Sequence, residues 1–167
     1  EKAIYWATLG DIHSEMAKFK IFGANANAIA SYKQALELAP TDTPVMIILG
    51  VKLAQITEYK EALDYFEKAV EKDPYLLTSN IAQWMNLCYL AGGQTKRGTV
   101  FYSKFLKANP EYYHLPVYRA ILYEAHFDYS SAAKELYEVV GDDKTDPDTK
   151  KFASSLLKNI QNKEAGK

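Results

Sequence analysis

Hydrophobic positions in the middle of the chain recur with the spacing of one helix face. Met46, Leu49 and Leu53 follow one another at intervals of three and four residues, which predicts an amphipathic α-helix. A turn is expected near Thr57. A second apolar stripe follows that turn, at Tyr59, Ala62, Phe66 and Ala69. The pattern therefore predicts two antiparallel helices joined by a short turn.

The second helix of this pair has counterparts elsewhere in the chain. Four residues return 34 positions later as residues of the same kind: Ala28, Tyr32, Ala35 and Pro40 correspond to Ala62, Phe66, Ala69 and Pro74. The next proline in phase, Pro110, follows 36 residues after Pro74. A period of this length predicts stacked helix-turn-helix units. Such arrays present an extended surface to other proteins.

Prolines and glycines predict where individual helices begin and end. Thr43 is interpreted as a helix cap, with Pro44 at the first helical position, where its missing N–H is tolerated. Gly92 and Gly93 predict a turn between the two helices of a third pair. Gly98 weakens the helix after that turn by roughly 1 kcal/mol but permits close approach of a neighbour.

The end of the chain predicts a fourth helix pair and one additional helix. The fourth pair begins near Tyr113, and its first helix is irregular because it contains Pro116 and Arg119. Asp146 before Pro147 predicts the start of the last helix. The apolar residues on one side of this helix are Phe152, Leu156 and Ile160. A helix that is apolar on one side only suits a cap that closes the stack.

A recognisable motif appears near the start of the chain. Its residues are Trp6-x2-Leu9-Gly10-x2-His13, then Ala28-x3-Tyr32 and Pro40. They resemble the tetratricopeptide repeat, whose pattern is W-x2-L-G-x2-Y, A-x3-F and P over 34 residues. The second half comes about six residues late, which predicts an extended first helix and a longer turn between Lys18 and Asn27.

The resemblance implies an all-α fold, a right-handed superhelical solenoid of about four helix-turn-helix units with a C-terminal capping helix. We expect one repeat domain over residues 1–167. Its units are expected at about residues 3–40, 41–76, 77–110 and 111–145, and its capping helix at about residues 147–162.

Composition excludes several classes of function. The chain has 20 basic and 21 acidic residues, so no net field attracts nucleic acid or an anionic membrane. The longest apolar run, residues 45–51, is too short to span a bilayer, and no membrane insertion is expected. The chain starts without Met and without a signal-like segment, which predicts a processed product or an excised piece.

Histidine and cysteine, which often form metal and catalytic sites in other proteins, are not spaced for such a site in this sequence. His13, His114 and His126 fall in different units, with no spacing typical of a metal site. Cys88 lies in an apolar stretch, where a thiol is normally inert, and a pair of Cys88 with His114 is disfavoured. We therefore predict no enzyme, no metal and no cofactor.

The resemblance also implies that the first helix of each unit lines a concave groove that binds peptides. The groove residues expected from the repeat positions are Ile47, Val51, Ala54, Asn80, Gln83, Leu87, His114, Val117 and Ile121. A shift of two residues in the third unit would instead bring Met85 and Cys88 to the groove. The apolar residues either form a recognition surface or are covered by neighbouring helices, by the long first turn or by self-association.

These observations favour a non-catalytic interaction module, or scaffold, that binds an apolar or aromatic peptide segment of a partner protein. Two alternatives stay open: a secretion-type chaperone that holds an export substrate, and a structural segment of a larger complex that binds through its convex face or its ends. An adaptor for acidic chaperone tails is disfavoured. The places where such adaptors carry lysine, asparagine and arginine hold Ala7, Asp11, Ile48, Asn80 and Trp84.

Overall fold

The computed structural model describes residues 1–166. Over these residues it contains nine α-helices and no β-strand, which confirms the predicted all-α fold. Contacts divide the chain into two compact units, residues 1–76 and the residues from 77 onwards. The boundaries expected for four repeats stay a prediction.

The first unit contains two pairs of helices. They are α1 (Lys2–Lys18), α2 (Ala24–Leu38), α3 (Thr43–Gln55) and α4 (Tyr59–Lys72), followed by a short 3-10 helix at Pro74–Leu76. The cap of α3 is Asp42, whose Oδ1 accepts a hydrogen bond from the backbone N–H of Val45 at 3.2 Å. The prediction of Thr43 as the cap is therefore wrong by one residue, and Thr43 begins the helix instead.

Both pairs in the first unit place a glycine of one helix against an aromatic ring of the other. A Cβ atom added to Gly10 would lie 2.5 Å from Cε1 of Tyr32, and one added to Gly50 would lie 2.8 Å from Cε1 of Phe66. No side chain fits at these distances, so glycine allows the helices to approach. The repeat pattern therefore reflects a packing requirement.

The buried Tyr32 also carries a polar network. Its hydroxyl donates to Oδ1 of Asp11 at 2.7 Å and lies 3.1 Å from Oγ of Ser14. Burial is the main cause that raises the pKa of Tyr32 to about 12, because the ionised phenol is poorly solvated there. The network ties α1 to α2.

The long turn between α1 and α2 reaches only the end of α3. Phe22 is fully exposed. Ile21 lines a depression of about 470 Å³ together with Ile56, which follows the last residue of α3. Ile47 and Val51 do not line this depression, and the alternative that the turn covers them stays a prediction.

The second unit contains five helices. They are α5 (Ser79–Ala91), α6 (Thr95–Ala108), α7 (Leu115–Ala125), α8 (Tyr129–Gly141) and α9 (Pro147–Glu164). Asn86 is buried between three of them. Its Nδ2 donates to the backbone carbonyl of Tyr118 at 2.9 Å, and its Oδ1 accepts from the hydroxyl of Tyr102 at 2.9 Å. The pair of bonds satisfies a polar side chain in an apolar core and links α5 to α6 and α7.

The last helix packs on a face slightly different from the one predicted. Asp146 caps α9, as expected, through a bond of 2.9 Å from the backbone N–H of Thr149 to its Oδ1. Phe152, predicted on the packed side, is 47% exposed. The residues of α9 that enter the core with α7 and α8 are Ala153, Leu157 and Ile160.

Candidate peptide-binding site

An exposed face of α5 in the second unit carries three of the predicted groove residues. Asn80, Gln83 and Leu87 are exposed there, and Trp84 beside them is half-buried. Their spacing of three, one and three residues places them on one side of the helix. Together they line an open depression of about 370 Å³.

Buried residues on the opposite face of α5 determine which side of the helix is exposed. Ala82, Met85 and Tyr89 are fully buried, and Thr78 caps the helix by accepting a bond from the backbone N–H of Ile81 at 3.4 Å. The alternative register, which would bring Met85 and Cys88 to the surface, is excluded because both are fully buried.

The face of α5 has no charged residue, and indeed none occurs in Ser79–Ala91. Its apolar contribution comes from Leu87, which is 43% exposed, and from the indole of Trp84. Its polar contribution comes from the amides of Asn80 and Gln83, each of which can donate and accept hydrogen bonds. The depression therefore combines apolar surface with neutral hydrogen-bonding groups.

One contact positions Gln83. Its Nε2 donates to the hydroxyl of Tyr118 on α7 at 3.5 Å, and that hydroxyl donates to the backbone carbonyl of Ser79 at 3.1 Å. The ring of Tyr118 thus holds the start of α5 and one edge of its exposed face. Tyr118 was not among the predicted site residues, since its position in the repeat indicates only packing.

The three predicted residues on or beside α7 do not share this exposure. Val117 is 1% exposed and belongs to the core formed with α8 and α9, so its assignment to a binding surface is corrected. Ile121 is half-buried. His114 is half-buried between the rings of Tyr112 and Tyr118, at centroid distances of 5.9 and 6.2 Å.

The imidazole of His114 is suited to packing. Burial lowers the pKa of His114, which favours its neutral form at pH 7. Its Nε2 is buried, with no hydrogen-bond partner among residues 1–166.

In the first unit, the predicted groove residues lie on α3 and are less exposed than those on α5. Ile47 and Val51 are half-buried. Ala54 is 4% exposed and is corrected to a core residue, because it is in contact with its own unit and not with solvent. The neighbouring Ile48 is exposed. Each unit therefore keeps part of the predicted apolar surface.

Cys88 is fully buried, and burial raises its pKa to about 11, so its reactive thiolate form is scarce at neutral pH. Residues 1–166 contain no group of three metal-ligating side chains. In the same part of the chain, no helix is both long enough and apolar enough to span a bilayer.

Comparisons with known proteins agree with the repeat pattern and the fold. A family model described as a tetratricopeptide repeat matches residues 3–42. No curated protein matches the sequence. A solved structure of MamA superposes with a TM-score of 0.62 at 14% identity, covering 99% of this chain and 93% of that one.

Two further solved structures have the same fold. MamA from Desulfovibrio magneticus RS-1, from residue 41 to its end, gives a TM-score of 0.59 at 15% identity and covers 100% of this chain and 97% of that one. An O-GlcNAc transferase mutant of Thermobaculum terrenum gives 0.52 at 17% identity, over 84% of this chain and 26% of that one. The resemblance to the tetratricopeptide repeat family is thus confirmed, by the repeat at residues 3–42 and by the fold of the described chain.

Proposed function

We propose that the protein is a non-catalytic scaffold whose α5 face binds a neutral, apolar or aromatic segment of a partner protein. The fold is one that typically serves protein–protein interaction. The observation that carries the proposal is the exposed, uncharged face formed by Asn80, Gln83, Trp84 and Leu87.

The chemistry of this face defines the segment that it would take. Burying a charged side chain against Leu87 and Trp84 would leave that charge unpaired, which is costly. Two or three apolar side chains of the partner would each contribute roughly 1.5–3 kcal/mol before ordering costs, so the tightest dissociation constants expected are near the micromolar range. The amides of Asn80 and Gln83 would satisfy the peptide groups between those side chains.

A display library of linear peptides, selected against the whole chain, tests the proposal. The Trp6→Phe background leaves Trp84 as the sole tryptophan, because the chain has two, and its fluorescence then reports occupancy of the α5 face. We expect the selected peptides to be apolar and poor in charge, to change the emission of Trp84, and to bind in calorimetry with micromolar dissociation constants.

Two matched variants distinguish this face from other surfaces of the second unit. Leu87→Asp is expected to weaken binding by about tenfold or more, because it places a charge against an apolar anchor. Val100→Asp on α6 makes the same change at a residue that is 63% exposed and should leave binding intact. Circular dichroism should show both variants folded. Peptides that bind Leu87→Asp as tightly as the parent would move the binding surface elsewhere.

A further inference from the structure

A second cleft lies in the second unit, away from the α5 face and sharing no lining residue with it. It has a volume of about 160 Å³ and lies between the connection of α6 to α7 and the end of α8. The lining residues that define its chemistry are Tyr112, Tyr113, Pro116, Glu138, Asp142 and Thr145. Aromatic rings and a proline thus face two carboxylates and a hydroxyl.

The electrostatic field in this cleft is negative. Glu138 lies in the last turn of α8, and Asp142 follows directly after the helix, where its Oδ1 accepts a hydrogen bond from the backbone N–H of Lys144 at 2.8 Å. Asp142 is also the C-terminal cap of α8, where the helix dipole adds a partial negative charge. The two carboxylates and the helix terminus favour a cation, and the ammonium of Lys144 at the edge of the cleft offsets part of this negative charge.

The hydroxyl of Thr145 provides an independent sign of a missing ligand. Thr145 is 6% exposed, and its Oγ1 is buried without a hydrogen-bond partner among the described residues. A buried hydroxyl without a partner costs free energy. Because Thr145 lines the cleft, rotation of its side chain would turn the hydroxyl toward a ligand that donates a hydrogen bond, and such a bond would remove this cost.

The chain itself shows that the aromatic side of the cleft accommodates an ammonium group. Nζ of Lys144 lies 5.7 Å from the centroid of the Tyr113 ring, which is within the range of a cation–π contact. Lys144 is attached at the edge of the cleft, next to Thr145. A cation supplied from outside would meet the same kind of ring surface.

The first unit has a cleft at the corresponding place, but with a different set of charges. It has a volume of about 250 Å³, and its lining includes Pro40, two lysines, Lys33 and Lys68, and one carboxylate, Glu37. Pro40 corresponds in the repeat to Pro110, which lines the cleft of the second unit. Lys68 stands six residues after Ala62, as Glu138 stands six residues after Ala132. The same position of the fold therefore carries a lysine in one unit and a glutamate in the other.

We propose that the cleft at Tyr113, Glu138 and Thr145 binds a primary ammonium group, namely the side chain of a lysine in a partner peptide. The ammonium lies between the two carboxylates and donates a hydrogen bond to Thr145. The aliphatic stem packs against Pro116 and the tyrosine rings. The corresponding cleft of the first unit rejects the same ligand, because Lys68 repels it.

A titration followed by amide chemical shifts in ¹⁵N-labelled protein tests this site. The probe is N-acetyl-lysine methylamide, and the control is N-acetyl-norleucine methylamide, which has the same stem without the charge. We expect saturable shifts at Tyr113, Asp142 and Thr145 with the lysine probe only, and no shifts around Lys68. The absence of saturable shifts, equal shifts with norleucine, or equal shifts in both clefts would overturn the proposal.

Variants of the cleft give a second readout. Glu138→Gln and Asp142→Asn are each expected to weaken binding of the lysine probe about two- to fivefold, as for ion pairs near solvent. Lys144→Met removes the competing ammonium and should leave binding unchanged or strengthen it. Weaker binding to Lys144→Met, or unchanged binding to both neutralised variants, would contradict the assignment. Leu87→Asp should not affect this probe, so failure here and failure at the α5 face are distinguishable.

Discussion

Replacing Gly98 with alanine should destabilise the second unit, although alanine is the better helix former. A Cβ atom at Gly98 would lie 2.5 Å from Cδ1 of Leu122 and 2.7 Å from Cδ2 of Tyr89. Both neighbours are fully buried, so neither can move aside into solvent. The methyl group would have to push α6 away from α5 and α7.

The two opposing effects can be weighed. Alanine gains about 1 kcal/mol over glycine in a helix interior, whereas overpacking a core costs about 1–3 kcal/mol. Ordinary contacts of a Cβ atom begin at 3.4 Å. Because a contact of 2.5 Å is far shorter, we expect an overpacking cost in the upper half of the range, about 2–3 kcal/mol. The net loss for Gly98→Ala is then about 1–2 kcal/mol, or roughly 2–8 °C in melting temperature for a chain of this size.

Urea unfolding followed by circular dichroism measures this loss, and Gly141→Ala serves as the control. Gly141 lies at the end of α8, and a Cβ atom there would meet nothing within 4 Å. That variant should be as stable as the parent or more stable by up to about 1 kcal/mol. Equal stabilisation by both substitutions would refute the packing argument for Gly98.

Three further predictions concern single side chains. Ala62→Leu should lower the free energy of unfolding by about 1–3 kcal/mol, because Ala62 is fully buried; an unchanged melting temperature would contradict the helix register. Cys88 should react with a disulfide reagent slowly in native protein and quickly in urea, since burial raises its pKa to about 11; fast native reaction would contradict its burial. Stability should fall between pH 10 and about 12, because the unfolded chain releases the Tyr32 proton first. Tyr32→Phe should reduce this fall in pH-dependent unfolding, and an identical fall would assign it to another group.

The helices and the closest contacts between them follow from the sequence, because both depend on local spacing. Ala28, Ala62 and Ala132 are all fully buried, as expected for small residues at helix crossings. The close approach at Gly98, likewise expected from the sequence, is present against Tyr89 and Leu122.

Exposure of the site residues was harder to predict. Helical spacing gives the direction of a side chain around its own helix axis, but not which neighbour covers it. For that reason Val117 and Ala54 were assigned to a binding surface although both are buried. Phe152 shows the reverse error: it is 47% exposed, whereas Leu156 packs against the core and Ile160 lies in it, as predicted.

The cleft at Tyr113, Glu138 and Thr145 could not be predicted from local sequence patterns, because residues from three different segments of the chain line it. The sequence nevertheless contains one signal for this cleft. Lys68 and Glu138 occupy corresponding positions of two repeat units, and their charges are opposite. Comparing charges at corresponding positions of two units would have marked that place.

The two proposed sites place different demands on a partner. The α5 face has no charge with which to pair an ionic side chain, so a charged segment buried there would lose solvation without compensation. The cleft at Glu138 and Asp142 offers negative charge, and its volume of about 160 Å³ limits its apolar contact to the stem of a single side chain. A partner that uses both sites would therefore need a neutral apolar segment and, separately, a lysine. Linking two weak contacts in this way raises affinity through effective concentration, provided that the linker spans the sites. This arrangement predicts that peptides selected on the α5 face alone bind weakly, and that longer partner fragments containing a lysine bind more tightly than either part.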